Sequence, residues 1–127
     1  MSDRLYEQVG GTKTIQQLVR IFYDRVLADP RLAPFFPSTD IEALRAKQVM
    51  FLTMLMGRSR LFSGRDLGSA HAGARAQGLT DEHFDALLGH FGAAMRELDV
   101  AEEYIGQVLA RIEMTRGAVL GRPDRFT

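Results

Sequence analysis

Apolar residues recur at steps of three and four along most of this 127-residue chain, and no stretch alternates with the period of two that a half-buried strand requires. That pattern confines the chain to an all-α fold, in which amphipathic helices bury their stripes against one another. The strongest run lies between Thr14 and Leu27, where Ile15, Leu18, Val19, Phe22, Tyr23, Val26 and Leu27 share one inward face. A shorter helical turn from Leu5 to Val9 precedes it, closed by Gly10 and Gly11, and Asp29 with Pro30 ends it. Thr39 and Glu42 form a capping box that opens a helix from Asp40 to Gly57, with Ile41, Leu44, Phe51, Leu52 and Leu55 along its apolar line. Thr80 caps a third long helix that turns Phe84, Leu87, Leu88, Phe91, Met95 and Leu98 inward. A second capping box, Asp99 with Glu102, opens the last helix, which buries Tyr104, Ile105, Val108, Leu109, Ile112 and Val119.

Two connections break the pattern. RLAPFFPS holds two prolines around Phe35 and Phe36, so these rings sit in a tight non-helical link and need a partner to cover them. From Arg58 to Ala76 the periodicity fades into glycine, alanine, serine and arginine around a single histidine, His71, which reads as loop with at most one short helix. With no repeat and no linker, residues 1–127 are expected to form one domain.

Composition narrows the chemistry. Sixteen basic residues balance sixteen acidic ones, which removes the field a nucleic-acid binder carries and leaves the arginines as ordinary surface. The absence of cysteine excludes disulfides, thiolate metal sites and a catalytic thiol. No secretory apolar region opens the chain, and the longest apolar run falls far short of the roughly 20 residues of a membrane span. The expectation is a cytoplasmic protein with neither nucleic acid nor membrane as partner.

Two polar residues lie where hydrocarbon is the norm. Tyr23 sits on the inward stripe of the first long helix, and Gln48, one turn after Leu44 and three residues before Phe51, on that of the second. Leaving either group buried and unpaired costs about 1 to 3 kcal/mol, so each needs a partner. They bond each other or a backbone carbonyl, or else they converge on a small ligand between the helices. The three histidines lack the spacing of a zinc site; His83 and His90 fall beside Glu97 on a partly solvated face. His71, in GSAHAGA, has only small neighbours and fits either a surface residue or a ligand for a large planar group. Lys47 points to the rim of any pocket Gln48 enters, as a solvated cation or as a partner for an anion.

Three segments carry a resemblance. LYEQVGGTKTI, IFYDRVLADPRLAPFF and GLTDEHFDALLGHF together resemble the truncated haemoglobins, group I, the bacterial and cyanobacterial type, over nearly the whole chain. The lack of tryptophan agrees, since the other groups usually place one where this chain has Leu87. The resemblance implies a two-over-two helical sandwich around haem b, with His71 as the proximal ligand of the iron and Phe36, beside Phe35, stacked on the haem. By the same resemblance Tyr23, Gln48 and Leu44 line the distal side, Leu44 standing where many relatives carry a glutamine. Phe51, Leu52, Leu79, Phe84 and Leu87 then wall the pocket, and Lys47 lies near a propionate. The implied function is reversible binding of O2, nitric oxide and carbon monoxide, and oxidation of nitric oxide would need a reductase that the sequence does not identify. The competing expectation is a haem-free helical interaction module on the same fold.

Overall fold

The computed structural model describes residues 4–36, 40–58 and 75–122, and within them every regular element is helical. Helix α1 (Leu5–Val9) leads into α2 (Gly11–Ala28), a short 3-10 turn spans Ala33–Phe35, and α3 (Ile41–Thr53) continues into a wider π-type turn, Met54–Arg58. After residue 75 come α4 (Asp81–Glu97), α5 (Glu102–Glu113) and α6 (Arg116–Val119). Helix α2 packs on both α3 and α4, and α4 packs on α5, so two helix pairs share one core. Met54–Arg58 and α1 close one end of it against α5.

Periodicity placed the long helices correctly and erred at some of their ends. Gly10 has φ 119° and serves both as the last residue beyond α1 and as the cap of α2. A side chain there would put its Cβ 2.2 Å from the Thr14 hydroxyl, so the position admits only glycine. Helix α3 is capped by Asp40, whose carboxylate accepts the Ala43 N–H at 3.2 Å, while Glu42 pairs with Arg45; Thr39 lies outside the described residues. The Asp99 capping box does not form. Asp99 instead ends α4 in the left-handed region at φ 59°, its N–H bonded to the Arg96 carbonyl and the Val100 N–H to that of Met95. Helix α5 then starts beyond Ala101, which offers no side-chain cap, and Glu102 turns its carboxylate to Arg96.

Burial follows the predicted stripes with few exceptions. Ile15, Val19, Val26, Leu52, Ala94, Met95, Ile105 and Val108 are sealed from water, whereas Leu27, placed inward by its spacing, is 38% exposed. At the crossing of α2 and α4 the rings of Phe22 and Phe91 stack at 3.8 Å, 11° from parallel. Of the methionines, Met56 and Met95 are buried, while Met50 and Met114 stand in solvent. The arginines do more than line the surface. Arg116, only 16% exposed, binds Asp81, Asp85 and Glu113 and lies over the Phe84 ring at 4.5 Å, fastening α6 to α4.

Candidate functional site

Helix α3 is the least completely covered of the long helices. Only Leu52 is fully buried on it; Leu44, Gln48, Val49, Phe51 and Leu55 remain half-buried, although the apolar ones touch the core. Across from it, α2 buries Tyr23 to 5% exposure, and burial pushes the phenol up to about 12. Among the described residues nothing accepts a hydrogen bond from its hydroxyl, and no bond joins Tyr23 to Gln48. The bland alternative for these two residues, that they satisfy each other, is therefore not what the fold does. An unpaired phenol at this depth calls for a guest with an acceptor atom.

The aromatic link is built around the same residue. Pro34 lies within the 3-10 turn and helps fix the backbone that presents Phe35 and Phe36. Phe36 meets the Tyr23 ring edge-on at 6.1 Å and 84°, and is half-buried. Phe35 takes another direction, edge-on to His83 at 5.0 Å. His83 is not a solvated residue: its Nδ1 accepts the Thr80 N–H at 3.0 Å and closes the first turn of α4. Beyond it Phe84 is buried, and Leu79 and Leu87 are half-buried against the core. Lys47 is exposed and pairs with no carboxylate among the described residues. His71, the one predicted metal ligand, lies outside the described residues.

The residues present suit a flat, largely apolar group better than a bare ion. Among the described residues no cluster of three metal-binding side chains occurs. A cleft of about 390 Å3, lined by Arg31, Glu82, His83, Asp85 and Ala86, has a charged wall unsuited to such a group. The half-covered face of α3, the edge-on Phe36 and the unpaired Tyr23 hydroxyl together fit a planar apolar body that carries one polar ligand.

One polar cluster escaped the sequence reading. The Asp29 carboxylate, 8% exposed at the end of α2, accepts three N–H groups of Arg31 and lies 2.8 Å from Nε2 of His90 on α4. These donors hold its pKa well below the usual carboxylate range, the Arg31 guanidinium most strongly and His90 next. His90, expected on a solvated face, is thus an interior tether, and 61 residues of intervening chain hid its partner.

Helix pairs crossed in this way, with an aromatic link and an inward phenol, define a small two-over-two globin. Residues 4–121 match the family model for bacterial-like globins. The chain is 37% identical over 118 residues to the group 1 truncated hemoglobin of Tetrahymena pyriformis, covering 93% of this chain and 95% of that one. It is 39% identical over 107 residues to the group 1 truncated hemoglobin GlbN of a Synechocystis species, covering 84% and 86%. Among solved structures, the 2/2 hemoglobin of a Synechococcus species, in the cyanomet state with covalently attached heme, superposes with a TM-score of 0.87 at 36% identity, covering 93% of this chain and 98% of that one. The Fe(III) form of the Tetrahymena pyriformis protein superposes at 0.82 and 36% identity, covering 91% and 97%. The chain belongs to the group 1 truncated haemoglobins and has their two-over-two fold. Relatives occur in ciliates and algae as well as bacteria, so the fold does not mark a bacterial source. Among the described residues no helix is long and apolar enough to cross a membrane.

Proposed function

We propose that this protein holds haem b between α3 and the segment bearing His71, and binds diatomic gases, O2 foremost, on the α3 side. The observation that carries the reading is the buried Tyr23 hydroxyl with no acceptor among the described residues. Membership in a globin family and a likeness to a structure with attached heme support it, and weigh against a haem-free interaction module. His71 would hold the iron, Phe36 would pack on the ring, and Leu52, Phe51, Leu79, Phe84 and Leu87 would give it an apolar wall. The iron supplies the position that takes up the gas.

The chain's own residues then decide which gas is kept. Desolvation leaves Tyr23 protonated throughout the physiological range, so its O–H is always available to donate. A donor facing the gas favours O2, whose atoms draw partial negative charge, over the less polar carbon monoxide. Gln48 offers a second donor, and Leu44 beside it offers none, so water is excluded on that side without a third bond. Lys47, exposed and without a carboxylate partner, is placed to meet a propionate at the rim.

The test is the absorption spectrum of the purified protein supplied with haem, recorded ferric, reduced, and then under oxygen and carbon monoxide. A stoichiometric haem band that shifts reversibly with each gas is expected, and His71→Ala is expected to lose it. A wild type that takes up no haem overturns the reading, and an unchanged His71→Ala spectrum removes His71 from its role.

A further inference from the structure

Helices α2 and α4 meet at two points. At one, Phe22 stacks on Phe91 at 3.8 Å. At the other, Asp29 lies 2.8 Å from His90, the residue next to Phe91. Phe22 and Asp29 are seven residues apart on α2, about two turns. One contact alone would let α2 pivot and roll on α4; two contacts two turns apart fix both its crossing angle and its rotation about its own axis. Tyr23 sits between them, its ring edge-on to Phe22 at 5.1 Å. Its hydroxyl is at the far end of a long lever, so a few degrees of roll displace it by roughly an ångström, enough to spoil a directional bond.

We infer that Asp29 and His90 form a latch whose role is to position Tyr23. Asp29 is held rigid before it meets the histidine: Arg31 grips both carboxylate oxygens, at 3.1 Å through Nε and 2.8 Å through a terminal nitrogen. A carboxylate only accepts, so Nε2 of His90 carries the proton, and Nδ1 accepts from Nε of Arg25 at 3.3 Å. Arg25 in turn pairs with Glu97 on α4 at 3.7 Å. The imidazole thus bridges two residues of the α2 end, one on each ring nitrogen. Neither Asp29 nor His90 touches Tyr23; both act through the set of the helix.

This positioning role rests on the gas-binding reading, and its test separates the two. The variants are Asp29→Asn, His90→Ala and His90→Gln, with Ile105→Val on α5 as a core truncation of ordinary cost. Two quantities are read: the ring 1H–13C resonances of Tyr23 by NMR, and the stretching frequency of carbon monoxide on the reduced protein, each also in a Tyr23→Phe background. Asp29→Asn and His90→Ala are expected to shift both and to speed O2 release several-fold, only while Tyr23 is present. His90→Gln, whose amide keeps a donor near Nε2, is expected to restore most of the wild-type values. Ile105→Val is expected to move neither. The latch is overturned if Tyr23 resonances stay in place when Asp29 or His90 is changed, or if effects on ligand release persist unchanged in Tyr23→Phe. Should the wild type bind no gas, the functional reading falls, and the Tyr23 resonances still decide the latch.

Discussion

The phenol of Tyr23 is the residue on which most of the chemistry turns. Replacing it with phenylalanine keeps the ring, its edge contacts with Phe22 and Phe36, and the core, and removes one donor. A hydrogen bond of about 1 to 3 kcal/mol lost from the bound state should speed O2 release roughly tenfold to a hundredfold, measured by stopped-flow displacement with carbon monoxide. An unchanged rate would shift the role to Gln48. Tyr23 and Gln48 were legible in the sequence because each interrupts an apolar stripe. Asp29 and His90 were not: a polar residue at a helix end and one on a helix edge look solvated until the fold joins them across 61 positions.

At the scale of elements, helices showed themselves wherever a full stripe was present, and the errors collected where one polar residue could serve two neighbouring helices. Asp99 stands three residues before Glu102, as the cap of a following helix would, yet it is used to finish α4. A left-handed non-glycine residue costs about 1 kcal/mol, and glycine gives back roughly half of that as unfolded-chain entropy. Asp99→Gly should therefore stabilise the protein by about 0.5 kcal/mol, visible as a higher urea midpoint with unchanged slope. Gly10→Ala should do the reverse at the α1–α2 junction. Its Cβ would press on the Thr14 side chain and its φ would remain positive, for a loss of about 2 kcal/mol or more. His71 and Thr39 fall outside the described residues, so for them the sequence remains the guide.

Taken whole, the molecule is tied together by carboxylates that must stay ionised. Arg116 holds Glu113 below its usual range, Arg122 and then Arg116 do so for Asp81, Arg96 for Glu102, and Arg31 with His90 for Asp29. Each depressed group adds stability that is complete above its unfolded value, about 4, and is lost as pH falls through and below it. The thermal midpoint should hold near neutrality and drop steeply from about pH 4 downward, and Asp29→Asn should flatten part of that drop. The exposed pair of Arg96 and Glu102 should fade in 1 M salt, leaving the enclosed Asp29 contribution in place.

The uneven setting of the methionines gives the molecule a built-in chemical gauge. Dilute peroxide reaches the sulfurs of Met50 and Met114 freely, so the mass should rise by two oxygen atoms while the helices stay intact. Met56 and Met95 take up oxygen only after the core has opened. The lag between the two stages, read by mass spectrometry of peptides, therefore measures how often this protein unfolds under the very oxidants that a gas-handling chain would meet.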